Sequence, residues 1–326
     1  VALRLVQVSL PLEALSKAKE VLWPEDIFYL YTLKTNESFG LISIVVKGEK
    51  VEEVLDLLSS HFAMYEQFRA WVLPVEASLP ALGEDKKEKG FWQRVLGRLS
   101  RDELYADVFK ASRLNLVYVL MVILATLVAV VGIFRNEVAV IIGAMVIAPF
   151  LGPNMGLALG SVLGDLKLIK KSGITLLLGL FLTLGLSLVL GYFLEVPFTP
   201  ALVSRLQVSS VDVLLGLSAG IAGTLAFSSE IPSVVVGVMV AVALLPPLVV
   251  AGLLLGQGLF REAGKALLLF LINMDCINLA AISTFFLQGL KPRTWWEENK
   301  AKKSTYLAFS IWLVSLLILI WWLGKW

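Results

Sequence analysis

Two stretches place polar side chains where a proton or a cation could be held inside otherwise apolar sequence. In "FLINMDCINLAAIS" (270–283), Asn273, Asp275 and Asn278 interrupt a run of Leu, Ile, Phe and Ala. On a helix Asp275 and Asn278, three residues apart, share a face, and Asn273 lies further round. A carboxylate at mid-span is costly unless it is protonated, paired or hydrated. An aspartate with carboxamides nearby can bind a proton or a desolvated cation such as Na⁺. The same residues can instead form a hydrogen-bonded network between helices.

The second stretch, "GAMVIAPFLGPNMGLALGSVLGD" (143–165), carries Pro149, Pro153 and Asn154 and closes on Asp165. A third feature, "LLPPL", holds Pro246 and Pro247. Proline removes intrahelical hydrogen bonds, and the half-helix that follows presents unpaired N–H groups. Those groups are costly in hydrocarbon unless protein, water or a solute meets them, so a break belongs where it lines a cavity. Both central helices are therefore expected to be interrupted near mid-depth. Asp165 and Glu230 are read as helix-capping residues near the cytoplasmic interface. The candidate binding set is Pro149, Pro153, Asn154, Pro246, Pro247, Asn273, Asp275 and Asn278.

No enzyme constellation accompanies this set. His61 is the only histidine and Cys276 the only cysteine, which excludes a disulfide or a Cys/His metal site within one chain. "GLALGSVLG" lacks the Lys-Ser/Thr of a phosphate loop. The expectation is a non-enzyme with no catalytic residue, no metal and no cofactor.

The surrounding elements must be membrane spans. Hydrophobic residues make up 58% of the chain and charged residues 17%, with a mean hydropathy of +0.82, a balance soluble domains rarely have. The net charge of +2 and the dispersal of basic residues beside apolar spans argue against a nucleic-acid partner. No signal peptide is read, because mixed, charged sequence precedes the long apolar runs.

Residues 1–82 read as an α+β domain. "ALRLVQVSL" alternates like a strand, and "PLEALSKAKEVL" has helical spacing. "DIFYLYTLKTN" and "FGLISIVVKG" flank a turn, "EKVEEVLDLLSSHF" is a second amphipathic helix, and "FRAWVLPVE" a last strand. The order βαββαβ predicts a ferredoxin-like cytoplasmic domain. Residues 83–113 form a charged linker, "GEDKKEKG", and interfacial amphipathic helices with Phe91, Trp92, Val95, Leu96 and Leu99 on one face. Ser100 with Glu103 fits a capping box that starts a helix.

Seven apolar segments follow, at about 115–134, 137–164, 172–194, 212–228, 232–256, 264–288 and 304–323, each long enough to cross roughly 30 Å of hydrocarbon. Six of them make a core over 114–290, and a basic loop with a final span occupies 291–326. With the N-terminus inside, thirteen basic residues fall on the cytoplasmic side against five outside, which sets the orientation. Trp321, Trp322 and Trp326 then anchor the last span at the outer interface.

Residues 143–171 align with 237–265 at a constant offset of 94. Eight identities result, among them Gly143/Gly237, Pro153/Pro247, Gly164/Gly258 and Lys171/Lys265. Repeats over about 115–194 and 212–288, three crossings each, predict an inverted-topology pair, and interrupted helices at equivalent places point to a transporter's binding site. Gly152, Gly156, Gly160 and Gly164, with Gly216 and Gly220, form helix-packing stripes within or between subunits.

The stretch from "DELYADVFKASR" to "GAMVIAPFLGPNMGLALGSVLGD" resembles the prokaryotic hydrophobic family known as domain-of-unknown-function family 389, over roughly 100–290. The most specific pieces are "GAMVIAPFLGP" and Asp165. The resemblance implies a multi-pass protein of a prokaryotic inner membrane and brings no substrate or catalytic residue. The expected function is a homo-oligomeric transporter or channel in the lipid bilayer for a small solute or ion, possible coupling being to a proton or cation, regulated by the cytoplasmic domain. The alternative is a membrane-anchored sensor or scaffold whose N-terminal domain binds a ligand or partner and whose spans assemble subunits.

Overall fold

Alternation of apolar and mixed residues in LRLVQVSLP makes β1 (Leu3–Pro11), which turns Val6, Val8 and Leu10 inward. Residues at helical spacing then form α1 (Leu12–Leu22), which buries Ala14, Leu15, Ala18 and Leu22. A hairpin, β2 (Tyr29–Lys34) and β3 (Phe39–Lys47), precedes α2 (Val51–Phe62), whose Val51, Val54, Leu55, Leu58 and Phe62 complete the same core. β4 (Arg69–Val75) ends the βαββαβ order. All pairings are antiparallel, and the sheet order is β2-β3-β1-β4. The computed structural model describes residues 3–22, 27–34, 39–75, 100–229, 233–291 and 295–323. The expected linker 83–90, the amphipathic face over 91–99, Glu230 and Trp326 lie outside the described residues.

The chain divides into two units, Val1–Leu104 and Tyr105–Trp326. In the first, one sheet face is covered by α1 and α2. The other is open: register brings Tyr29, Val45, Leu5 and Leu73 into one row and Tyr31, Ser43, Gln7 and Trp71 into the next, with Tyr31 62% and Trp71 46% exposed. Helix α3 (Arg101–Ala111) begins at the end of this unit, at the expected Ser100–Glu103 box. The Ser100 amide and hydroxyl donate to Glu103 at 3.2 and 2.9 Å, and the Glu103 amide donates to the Ser100 hydroxyl at 3.3 Å. Glu103 also accepts from Arg4 at 2.7 Å, and Arg101 pairs with Asp56 at 2.9 Å.

The second unit is helical. Its elements are α4 (Leu116–Arg135), α5 (Val138–Ile147), α6 (Leu151–Leu163) and α7 (Leu166–Phe193), then the short α8 (Pro200–Val203). After it come α9 (Ser210–Ser228), α10 (Ser233–Gly256), α11 (Phe260–Leu287) and α12 (Trp295–Leu323). Among the described residues five helices are long and apolar enough to cross a bilayer, and α5 with α6, bent by 51°, makes a sixth if the pair is one span. The segment expected at 232–256 falls on α10.

The offset of 94 extends well beyond the stretch in which the sequence displayed it. Leu116, Leu166 and Phe193, limits of α4 and α7, map onto Ser210, Phe260 and Leu287, limits of α9 and α11. Gly164 and Gly258 both adopt positive φ, 69° and 74°, a conformation that glycine takes without a Cβ penalty at a helix end. The closing hydrogen bonds also correspond: Asp165 N to Gly160 O and Leu259 N to Leu254 O, both 2.9 Å. Across the halves, α7 packs on α10 and α11 packs on α6.

Candidate functional site

The proline helices of the two halves differ. Ala148, between α5 and α6, is extended (φ −65°, ψ 119°), as steric conflict with a following proline favours. Pro149 therefore ends α5. Pro153 falls in the first turn of α6, where its missing N–H has no helical acceptor to lose. Pro246 and Pro247, by contrast, lie within the uninterrupted α10, which corrects the expectation of two broken helices. A continuous helix would direct the N–H of residue 247 to the carbonyl of Ala243, and proline cannot supply it. Asn273 of α11 does so instead: its Nδ2 donates to Ala243 O at 2.9 Å. A side-chain donor from a neighbouring helix has replaced the missing backbone donor, the compensation that a proline in an apolar medium requires.

At the break in the first half the carboxamides act in series. Asn278 Nδ2 donates to Asn154 Oδ1 at 3.1 Å and to Met274 O at 2.9 Å. Asn154 Nδ2 in turn donates to Phe150 O, at the start of α6, at 2.8 Å. Asn154, Asn273 and Asn278 are all buried. Asn154 and Asn278 thus come together as one pair between α6 and α11, while Asn273 leaves α11 toward α10. Asp275 goes elsewhere again, toward Ser315 of α12, which lines an open apolar groove of about 490 Å³ with Ser310 and Ile311. The candidate residues therefore leave α11 in three directions and do not converge on one point. Asn273 Oδ1, Asp275 Oδ2 and Asn278 Oδ1 are buried without a hydrogen-bond partner among the described residues, the remaining capacity of this region to meet a ligand.

The glycine stripes lie against neighbours in the same chain. A Cβ on Gly152 would meet the Ala111 backbone, one on Gly156 the hydroxyls of Ser112 and Ser172, one on Gly160 the Ile169 backbone, and one on Gly164 Ala301. Gly216 faces Cys276 and Asn273, and Gly220 faces Ala280 and Ile277. The α7–α10 contact, which the sequence reading missed, is equally close: Gly191, Gly252 and Gly256 let the two backbones touch. Gly191, Gly252 and Gly256 are themselves small residues at four-residue or wider spacing, a signal present in the sequence.

Polar groups at the α3–α4 junction also escaped that reading. Ser112 Oγ donates to Gly152 O at 2.9 Å, Thr175 Oγ1 to Ser112 O at 3.0 Å, and the Tyr118 hydroxyl to Thr175 O at 3.0 Å. Asp165 accepts from the amides of Lys167 and Leu168 at 2.8 and 3.1 Å and from the Tyr105 hydroxyl at 2.7 Å. It caps α7, and no metal-binding group of three His, Cys, Asp or Glu residues occurs among the described residues.

Long apolar helices, buried carboxamides serving proline-disrupted backbone, and a small N-terminal sheet define a polytopic membrane protein of mostly helical fold. Comparison with known proteins gives the family. A profile described as "Domain of unknown function (DUF389)" matches residues 145–279, and the chain belongs to this family. An uncharacterized protein of Methanocaldococcus jannaschii is 38% identical over 292 residues, 88% of each chain. No solved structure matches.

Proposed function

We propose that the chain moves a small solute or ion across a prokaryotic inner membrane, as a transporter or channel, with a cytoplasmic, ferredoxin-like N-terminal domain regulating it in a homo-oligomer. The observation that carries this reading is the repeat: two halves with helix limits 94 residues apart, of which only the first has its proline helix interrupted. Three membrane elements per half is an odd number, so the second copy runs inverted. In such folds the solute meets the interrupted helix at the interface of the halves, and exchange of conformation between halves alternates access. The start of α6 offers backbone N–H groups that favour an anionic moiety. Asp275 is the group to carry a coupling proton or cation.

The test has two parts. In a Cys276→Ser background, Asn154→Cys or Asn278→Cys is exposed to a membrane-impermeant thiol reagent from either side. Proteoliposomes are then assayed for flux of protons, sodium and chloride, comparing wild type with Asp275→Asn. Labelling at both positions and flux above empty vesicles support transport, and unchanged flux in Asp275→Asn removes that residue from coupling. A dry, unlabelled core with no flux favours the sensor or scaffold reading, for which the open Tyr29, Tyr31 and Trp71 sheet face would be the recognition surface.

A further inference from the structure

Basic side chains collect where α3 gives way to α4 and where α7 begins. Thr175 Oγ1 donates to Ser112 O and to Lys171 O, both at 3.0 Å, so one hydroxyl ties the two backbones that carry Arg113 and Lys171. The Lys171 ammonium lies 3.2 Å from the centre of the Phe109 ring, and Phe109 stacks on Tyr105 with centroids 6.0 Å apart. A cation attracted to an aromatic face stays in place. Lys170 is exposed one residue before it.

The obvious neutralising group is already engaged. Both oxygens of Asp165 accept from neutral donors, the Tyr105 hydroxyl and two helix amides. Among the described residues none of Arg113, Lys170 and Lys171 has an ion-pair partner. Like charges gathered without a carboxylate repel one another unless an anion joins them.

The helices that carry these cations turn apolar side chains outward farther along, Leu120 and Leu124 on α4 and Ile174 and Leu177 on α7. A phosphate above and acyl chains below would match both parts. We propose that Arg113, Lys170 and Lys171 hold the phosphate of an anionic membrane phospholipid, with Phe109 keeping Lys171 in position. The other half supplies a built-in control. At the offset of 94, Lys171 corresponds to Lys265, but Arg113, Lys170 and Phe109 correspond to Gln207, Gly264 and Val203, so only the first half has the site.

The full chain, purified in detergent and mixed with phosphatidylglycerol and phosphatidylcholine, is examined by native mass spectrometry. Wild type should retain phosphatidylglycerol in preference. The variant Arg113→Gln/Lys170→Gln/Lys171→Gln should lose that retention by at least about tenfold, with phosphatidylcholine unchanged. Phe109→Leu, which keeps every charge, should weaken it about threefold. The pair Arg261→Gln/Lys265→Gln should leave it intact. Retention by the triple variant, or equal loss in the control pair, overturns the site. Displacement of phosphatidylglycerol by inorganic phosphate at millimolar concentration overturns the lipid as its occupant.

Discussion

The two halves of the membrane unit share helix limits and differ in the middle. Pro153 and Pro247 occupy equivalent places, so each half has lost the same backbone donor. Pro149, however, stands opposite Ala243, and Gly152 opposite Pro246. In the first half Pro149 forces Ala148 into an extended conformation and the helix ends. In the second the adjacent prolines leave the carbonyl of Ala243 to be met by Asn273, and the helix continues. Gly179, the counterpart of Asn273, has no side chain to offer; a Cβ there would meet the Tyr118 hydroxyl and come within 3.0 Å of Phe150. The break in the first half thus goes with a second proline four residues upstream, and the continuity of the second with a donor on another helix.

Transplanting the difference should have the largest effect. Ala243→Pro recreates the first half's pattern in α10, removing an N–H and pressing Val242 toward extended backbone. It should cost about 3 kcal/mol, read by denaturant unfolding in micelles, and raise hydrogen exchange across 239–247. A continuous, protected α10 in this variant would break the comparison. Asn273→Ala should cost about 2 kcal/mol, because the Ala243 carbonyl is left buried and unpaired. Pro247→Ala restores a backbone donor to that carbonyl. In that background Asn273→Ala should cost about 1 kcal/mol less, and a strictly additive double mutant would mean that Asn273 does not substitute for the missing amide.

This dependence also explains what could be read from the residues alone. The offset was visible through eight identities between 143–171 and 237–265, since glycines and prolines at helix ends and bends are local requirements that survive in both copies. The Pro149 break was legible for the same reason, as was the alternation that builds β1 and the Ser100–Glu103 cap. The continuity of α10 was not, because the sequence records which N–H is missing and says nothing of which carboxamide reaches it. Asp275 and Asn278 share a helical face by spacing, yet one meets Ser315 of α12 and the other Asn154 of α6. Four helices, α6, α9, α10 and α12, pack on α11, and spacing along one helix does not choose among them.

The caps of the equivalent helices differ as well. Asp165 satisfies two amides at the start of α7 and accepts from Tyr105, whereas Leu259, at the same place before α11, has no side-chain cap. Asp165→Ala should cost about 1 kcal/mol in the same unfolding assay. Partial burial, and then the hydrogen bond and charge of Asp165, push the Tyr105 hydroxyl up to about 12 from the usual 10.0. The neutral phenol is thus favoured in the folded protein. Its contribution is full below about pH 10 and is lost as pH rises toward 12. Removing Asp165 should move that alkaline loss to lower pH, and an unmoved profile would mean that the pair does not act on Tyr105.

The smallest effect tests the comparison from the other side. If the halves differ at this position only by the missing carboxylate, Leu259→Asp should supply α11 with the cap that α7 already has. Leu259 has φ −88° and ψ 67° against −86° and 94° for Asp165, so the backbone is close to that of a working cap. The expected gain is about 0.5 kcal/mol, less than Asp165 contributes because the offset puts Thr199 at the place of Tyr105 and some apolar contact is lost. A gain in thermal stability with slower exchange of the amides of Arg261 and Glu262 would confirm that the two helix starts are interchangeable. A loss would mean that Leu259 is held there by packing, and that the halves have diverged in their surroundings as well as in their prolines.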